Sequence, residues 1–264
     1  MSIGAEVAAH LPFLRRYARA LTGSQHTGDA FVQATLEAAL ADRDLAESLR
    51  GGRVPLYRAF NKLWSSAYLD VSDEIEPVEL HEVAAQSQLR KITPLNRQAL
   101  LLTTVEDFNP SEAADIMGVS ESDVANLVQE AVDEIERETT TSVLIIEDEP
   151  LISMQLEDLV RSLGHEVCGT AATRTQAQAV VRDKTPGLVL ADIQLADGSS
   201  GLDAVDDILA IDSVPVIFIT AYPERLLTGD RPEPTYLITK PFQEDTVRAA
   251  ISQALFFGSS RPLD

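Results

Sequence analysis

Five short apolar runs in the second half of the chain restrict its fold more than any other sequence feature. They are rich in β-branched residues, alternate with amphipathic segments, and cover 143–147 (VLIIE), 165–171 (HEVCGTA), 187–192 (GLVLAD), 214–220 (VPVIFIT) and 235–239 (TYLIT). Strands that are apolar throughout are buried on both faces, which is typical of a parallel sheet with crossover helices on both sides. The sequence therefore predicts a doubly wound α/β domain with a five-stranded parallel sheet.

Polar side chains stand at the carboxyl ends of these predicted strands, where doubly wound folds form their sites. They are Glu147, Asp148 and Glu149 after the first strand, Asp192 after the third, Thr220 at the end of the fourth and Lys240 after the fifth. Each has a structural explanation when taken alone, such as a turn cap for an aspartate, but the whole set in this order rarely arises by chance. We expect these side chains to form one acidic pocket.

An acidic pocket of this kind is suited to phosphoryl transfer when it binds a divalent cation. A carboxylate among carboxylates is a poor nucleophile for phosphorus, and Mg²⁺ with oxygen ligands neutralises such a cluster. Asp192 is then expected to attack phosphorus and hold it as an acyl phosphate, while Lys240 and the Thr220 hydroxyl bind phosphoryl oxygens.

With these residues the chain resembles, over roughly 142–258, the receiver domain of bacterial response regulators. The resemblance implies that Asp192 is the phosphoacceptor, that Asp148 is a direct Mg²⁺ ligand and that Glu147 reaches the metal through water. It also implies that the backbone carbonyl of Gln194 completes the protein ligands and that a histidine kinase is the phosphodonor. Glu147 stands where receivers more commonly have aspartate.

A second departure from common receivers follows the fourth predicted strand. The stretch FITAYPERLL resembles the FATGUY subfamily, in which a tyrosine, here Tyr222, stands two residues after the threonine. The resemblance implies that Thr220 and Lys240 are the switch hydroxyl and the switch cation, and Tyr222 is expected either to join that switch or simply to pack. Leu237 replaces the usual receiver aromatic, and Tyr236 lies one place earlier. A short or loose fourth helix is predicted from Pro223, Gly229, Pro232 and Pro234.

The first 140 residues have the 3.6-residue periodicity of helices instead. Apolar residues recur at this spacing over 11–21, 31–40, 56–67, 94–105, 110–117 and 124–135. Pro110 suits a first helical position, Gly118 a helix end, and Ser120 with Asp123 a capping signature. An acidic stretch at about 71–84 is interpreted as a linker between two helical subdomains, or as a solvated helix end in its second half.

The charge of residues 111–138 conflicts with the role that their pattern suggests. They are predicted to form a helix, a turn and a second helix, a unit that many proteins use to read DNA. Yet they contain nine carboxylates and one cation, Arg137, in a chain of net charge −21. Cations at phosphates release counterions, and without them most DNA affinity is lost. Whether the carboxylates repel DNA or only solvate an exposed face, we expect no DNA binding here.

Residues 8–138 resemble a small extracytoplasmic-function sigma factor, with region 2 at about 8–70 and region 4 at about 85–138. Three positions that hold cations in working region-4 helices read Ala125, Glu130 and Glu134. The resemblance therefore implies a sigma fold without sigma function, a shape that an anti-sigma factor would still bind.

A sigma-like domain followed by a FATGUY receiver resembles the PhyR family, the response regulators of the alphaproteobacterial general stress response. The resemblance implies an all-α sigma-like domain at 1–140 and a flavodoxin- and CheY-like receiver domain at 141–264. It implies a phosphorylation-activated anti-anti-sigma factor that sequesters a NepR-like anti-sigma factor and frees an ECF sigma factor. The alternative is a phosphorylation-gated transcription regulator that binds DNA through the region-4 helix-turn-helix.

Three remaining features concern chemistry and location. The single cysteine, Cys168, excludes an intramolecular disulfide and is interpreted as a small core residue. The chain shows neither a secretion signal at its start nor an apolar run long enough to span a bilayer, so we expect a cytoplasmic protein without membrane contact. Because nothing suggests turnover of an external substrate, the chain is not expected to be an enzyme.

Overall fold

The computed structural model describes residues 3–73, 93–135, 140–195, 197–223, 226 and 234–258, and the side chains at 67–73 are not among them. The chain divides into two compact units, Met1–Ala131 and Val132–Asp264. Within the described ranges, no helix is both long enough and apolar enough to cross a membrane. The predicted domain boundary between 140 and 141 adjoins residues 136–139, which lie outside these ranges, and it stays a prediction.

The first unit is helical, as its periodicity predicts. Its helices are α1 (Ile3–Thr22), α2 (Gln25–Ala41), α3 (Arg43–Ser48), α4 (Arg53–Asp73), α5 (Leu95–Leu100) and α6 (Pro110–Met117), followed by α7 (Glu121–Ile135), in which the division between the units falls. A π-helical turn, Leu101–Val105, continues α5 where the sequence predicts ordinary helix, and the short α3 was not predicted. Helix α4 also runs past the predicted start of the linker at 71, and the linker beyond Asp73 lies outside the described residues.

The helix ends in the predicted region 4 follow their sequence signals. Pro110 is the first residue of α6, after the N-cap Asn109, and Gly118 ends that helix with φ 68°, a conformation that glycine adopts without strain. Before α7, the Ser120 hydroxyl accepts a hydrogen bond from the Asp123 N–H at 3.1 Å, and the Asp123 carboxylate accepts one from the Ser120 N–H at 3.1 Å. These three predictions are therefore confirmed.

An aromatic cluster joins α1, α2 and α4. The ring centroids of Tyr17 and Tyr57 lie 5.4 Å apart, and those of Tyr17 and Phe60 lie 5.9 Å apart. Phe31 of α2 meets Trp64 of α4 edge to face, with centroids 4.9 Å apart. Aromatic pairs at these separations add to the stabilisation from burial alone, so this cluster stabilises the packing of the three helices in the predicted region 2.

Glu106, just after the π-helical turn, is a buried carboxylate with three cationic or hydroxyl donors. Its Oε1 accepts a hydrogen bond from Arg16 Nε at 3.0 Å, and its Oε2 accepts from Tyr57 Oη at 2.7 Å and from Arg53 Nη2 at 3.1 Å. Burial, together with this carboxylate, raises the pKa of Tyr57 well above its usual value. Because Arg16 lies on α1 and the other two donors lie on α4, Glu106 joins the predicted region 2 to the predicted region 4.

Replacing Glu106 with alanine tests how much this contact contributes. The change leaves Arg16 buried without its carboxylate, and we expect it to reduce the free energy of unfolding by about 3–5 kcal/mol. Trp64 is the only tryptophan in the sequence and lies in the helical unit, so urea unfolding followed by its fluorescence reports on that unit. As a control, Asp115→Ala removes an ion pair with Arg58 that is 2.6 Å long but solvent-exposed, and it should cost at most about 1 kcal/mol. Equal losses in the two variants would contradict the role of Glu106.

The second unit is a doubly wound α/β domain, as predicted. Its elements are β1 (Ser142–Ile146), α8 (Pro150–Ser162), β2 (Glu166–Ala171), α9 (Arg174–Asp183), β3 (Leu188–Ala191), α10 (Gly201–Leu209), β4 (Val216–Thr220), β5 (Tyr236–Thr239) and α11 (Glu244–Gly258). All neighbouring strands are parallel, in the order β2-β1-β3-β4-β5. The order reverses between β1 and β3, which is where such folds place a site.

The sheet core explains why the strand sequences are apolar throughout. No residue of Val143–Ile146 in β1 or of Leu188–Ala191 in β3 is more than 1% exposed. Cys168 in β2 is also buried, and burial raises the pKa of its thiol, which confirms the expectation of a core residue. The predicted short fourth helix of this domain falls mostly on 224–225 and 227–233, outside the described residues.

Candidate functional site

The carboxyl ends of four parallel strands meet at one edge of the sheet and bring the predicted site residues together. Asp192 follows β3, and its N–H donates to the Ile146 carbonyl of β1 at 2.8 Å. Lys240 follows β5, and its N–H donates to the Thr220 carbonyl of β4 at 2.8 Å. The hydrogen bonds between neighbouring strands therefore continue for one residue beyond the ends of β3 and β5. Glu147, the residue after β1, continues the ladder in the same way, because its N–H donates to the Ala171 carbonyl of β2 at 2.9 Å.

The ammonium group of Lys240 connects the carboxylates of this edge. Its Nζ donates to Asp192 Oδ2 at 2.7 Å and to Glu147 Oε1 at 3.0 Å, and it lies 2.8 Å from Glu147 Oε2 and 3.5 Å from the exposed Glu149. The side chains of Lys240, Glu147 and Asp192 are only 8%, 1% and 10% exposed. Little water therefore screens these contacts, and they are stronger than surface ion pairs.

The pKa values of the ion pair reflect burial and charge acting together. Burial alone would lower the pKa of Lys240, but its hydrogen bonds with Asp192 and Glu147 outweigh that effect and raise the pKa above its usual range. Burial raises the pKa of Glu147, and the lysine opposes that rise. The lysine therefore remains a cation near neutral pH.

Three carboxylates in this pocket can offer oxygen ligands to one metal ion. Oxygens of Glu147, Asp148 and Asp192 all lie within 4.8 Å of one another. An all-oxygen donor set with several negative charges suits a hard cation such as Mg²⁺. The Gln194 N–H donates to Asp192 Oδ1 at 3.2 Å, so this residue adjoins the pocket, while metal ligation by its carbonyl stays a prediction.

Thr220, the last residue of β4, and Tyr222, two residues later, are joined by one hydrogen bond. Thr220 is fully buried, and its Oγ1 accepts a hydrogen bond from the Tyr222 N–H at 3.2 Å, while the Tyr222 residue is 42% exposed. Tyr236 is buried instead, and its hydroxyl donates to the Gln253 carbonyl at 3.2 Å on α11. Of these two tyrosines, only Tyr222 reaches the surface from the pocket edge.

The structure also shows a residue to which the sequence analysis assigned no role. A Cβ atom at Gly201, the first residue of α10, would lie 1.7 Å from the backbone carbonyl oxygen of Asp192. No side chain fits in that space, so Gly201 lets the loop after β3 return closely past Asp192, the predicted phosphoacceptor. Its position right after the N-cap Ser200 was the signal that could have revealed it, because glycine is a poor helix former.

The acidic helix α7 has the two faces that its sequence predicts. Val124, Ala131 and Ile135 are buried, whereas the exposed residues include Glu121, Asp123, Glu130 and Asp133. The described part of this segment, 111–135, contains no lysine or arginine. Three further charged residues, Glu136, Arg137 and Glu138, lie outside the described ranges.

Known protein families match all three predicted parts of the chain. The Sigma2 domain of PhyR matches residues 7–61, the sigma-like domain of response regulator PhyR matches 89–138, and the response regulator receiver domain matches 143–252. These matches follow the same order as the elements of the fold.

Full-length relatives extend the similarity to nearly the whole chain. The phyllosphere-induced regulator PhyR of Methylorubrum extorquens is 54% identical over 98% of this chain and 97% of its own length. The crystal structure of PhyR from Brucella abortus is 50% identical, with a TM-score of 0.84 over 98% of this chain and 96% of that one. The anti-anti-sigma factor PhyR from Bartonella quintana is 49% identical, with a TM-score of 0.84 over 98% and 97% of the two chains. The chain therefore belongs to the PhyR family of response regulators.

Proposed function

We propose that this chain is a phosphorylation-activated anti-anti-sigma factor of a general stress response. A phosphoryl group on Asp192 releases the sigma-like domain, residues 1–140, from control by the receiver domain, residues 141–264. The released domain sequesters a NepR-like anti-sigma factor and thereby frees an ECF sigma factor in the cytoplasm. The relative from Bartonella quintana, 49% identical over 98% of this chain, is itself an anti-anti-sigma factor.

The observation that carries this proposal is the convergence of Asp192 and Lys240 at the switch point of a receiver sheet, at 2.7 Å. A histidine kinase is the proposed phosphodonor. An Asp192 carboxylate oxygen forms a bond to phosphorus as the P–N bond of a phosphohistidine breaks, and the electron pair of that bond stays on the imidazole nitrogen. The product is an acyl phosphate on Asp192.

The remaining pocket residues bind and orient the transferred group. Asp148 and Asp192 would hold Mg²⁺ directly, Glu147 would reach it through water, and the Gln194 carbonyl would complete the set. When bound, the ion supplies the positive charge that lets a dianionic phosphoryl group approach these carboxylates. Lys240 then binds one phosphoryl oxygen, since its ammonium already lies 2.7 Å from Asp192 Oδ2.

Thr220 and Tyr222 carry the change from the pocket to the surface in this proposal. The Thr220 hydroxyl accepts from the Tyr222 N–H, and a hydroxyl can also donate, so it can turn to a phosphoryl oxygen. Such a movement pulls on the backbone of Tyr222. A shift of about 5 kcal/mol would change the inhibited state from dominant to rare, and a smaller one suffices if the anti-sigma factor itself favours the released state.

Phosphorylation is tested with acetyl phosphate and Mg²⁺, followed by intact-protein mass spectrometry. The wild-type chain should gain one phosphoryl group, and Asp192→Asn should gain none because it lacks the nucleophilic oxygen. Removal of divalent cations with EDTA should also prevent the reaction, since carboxylate repulsion is then uncompensated. Asp183→Asn, which neutralises an exposed carboxylate at the end of α9, is the matched control and should react like the wild type. A phosphorylated Asp192→Asn protein would refute this assignment.

The partner switch is tested by calorimetry with a purified NepR-like anti-sigma factor. Phosphorylation should tighten its binding to the wild-type chain by at least about tenfold, a coupling typical of two-site regulation. Asp192→Asn should bind with the affinity of the unphosphorylated chain whether or not acetyl phosphate is present. Equal affinity of the phosphorylated and unphosphorylated wild-type proteins would exclude the switch, whereas promoter DNA binding by either form would favour the transcription-regulator alternative.

A further inference from the structure

Glu147 makes a contact that depends on the length of its side chain. Its Oε1 accepts a hydrogen bond from Lys240 Nζ at 3.0 Å, and its Oε2 lies 2.8 Å from the same nitrogen as an ion pair without accepting a hydrogen bond. The side chain of Glu147 is 1% exposed, so water does not replace this contact. The carboxylate therefore holds the ammonium from the β1 side while Asp192 holds it from the β3 side.

An aspartate at the same backbone position would not make this contact. The aspartate side chain is shorter by one C–C bond, which would leave its carboxylate about 1.5 Å further from Lys240. The backbone of residue 147 cannot move to compensate, because its N–H donates to the Ala171 carbonyl of β2 at 2.9 Å. Glutamate, rather than a carboxylate in general, is thus what places the charge against Lys240.

Lys240 is also the cation that a phosphoryl group on Asp192 requires. Its Nζ now divides its donors between Asp192 Oδ2 at 2.7 Å and Glu147. A phosphoryl group adds negative oxygens beyond Asp192, and the ammonium must reach toward them. A strong contact with Glu147 opposes that movement, because a buried ammonium gains most from full hydrogen bonding where it already lies.

We propose that Glu147 is a positioning residue that competes with the phosphoryl group for Lys240 and so weakens the phosphorylated state relative to a receiver with aspartate at this position. This inference rests on the proposed phosphorylation of Asp192. It adds a physical reason for how stable the phosphorylated state is. The contact between Glu147 and Lys240 that causes this competition is present before any metal or phosphoryl group binds.

The first test measures the ion pair in the unphosphorylated full-length chain without added metal. Reductive methylation with formaldehyde modifies the neutral lysine amine, and peptide mass spectrometry gives the rate at each lysine. In Glu147→Asp, methylation of Lys240 should be faster by about fivefold, the effect of losing about 1 kcal/mol of stabilisation of the ammonium. Lys184, whose Nζ donates to the Cys168 carbonyl at 2.7 Å, is the internal control and should react at an unchanged rate.

The second test measures binding of beryllofluoride, which imitates a phosphoryl group on a carboxylate without covalent chemistry. At saturating Mg²⁺, Glu147→Asp should bind beryllofluoride about fivefold more tightly than the wild type. Glu147→Gln should also bind it more tightly, since a neutral amide holds Lys240 less strongly. A residue that acts only as a metal ligand would give the opposite result for glutamine, which is a poorer metal ligand than a carboxylate.

A matched variant controls for the substitution itself. Glu157→Asp makes the same change in a side chain of α8 that pairs with Arg161 at 2.6 Å. Glu157 is not one of the pocket residues. It should change neither the methylation rate of Lys240 nor the affinity for beryllofluoride.

The outcomes separate this inference from the proposed function. Unchanged methylation of Lys240 in Glu147→Asp, or weaker beryllofluoride binding in either Glu147 variant, overturns the competition. If the wild-type chain accepts no phosphoryl group at all, the proposed function fails, whatever the reactivity of Lys240. A phosphorylated wild type with faster methylation and tighter analogue binding in both variants supports the two together.

Discussion

The receiver pocket depends on one buried cation placed among carboxylates. Glu147, Asp148 and Asp192 bring oxygens within 4.8 Å of one another, and charges that close repel strongly where water is scarce. Lys240 offsets part of that repulsion with contacts of 2.7 Å to Asp192 and 2.8 Å to Glu147. One ammonium cannot neutralise three carboxylates, so the pocket remains anionic and suited to a divalent cation.

The helical unit also contains a buried carboxylate among charged residues, but there the negative charge is compensated. Glu106 is as buried as Glu147, but it has two arginines and a tyrosine hydroxyl as donors, at 2.7–3.1 Å. Its charge is fully compensated, which leaves no unsatisfied demand for a ligand. The contrast shows why burial of a carboxylate does not by itself indicate a functional site. Glu106 joins the predicted regions 2 and 4, whereas the excess of negative charge around Lys240 favours the binding of a divalent cation.

Sequence reasoning succeeded where local pattern determines position. Strand ends of a parallel sheet lie side by side, so apolar runs that end in Glu147, Asp192, Thr220 and Lys240 were enough to predict the pocket. Contacts between residues that are far apart in the sequence could not be predicted from local pattern. Arg16 and Glu106 are 90 residues apart, and no periodicity links them. The π-helical turn likewise depends on tertiary packing, which a single sequence does not encode locally, and the glycine at 201 indicates a special position without naming Asp192 as the group that it approaches.

In helix α7, the residues that pack into the fold differ from those that a partner meets. The buried face, with Val124, Ala131 and Ile135, needs only apolar residues of suitable size, while the exposed face determines which charges a partner meets. An exposed face with Glu121, Asp123, Glu130 and Asp133 repels phosphates but leaves the packing of the helix unchanged. The same net charge of −21 accelerates the approach of a basic protein partner, and salt would slow that approach. One set of exposed carboxylates can therefore repel phosphates and attract a cationic partner without any change in the packing of the helix.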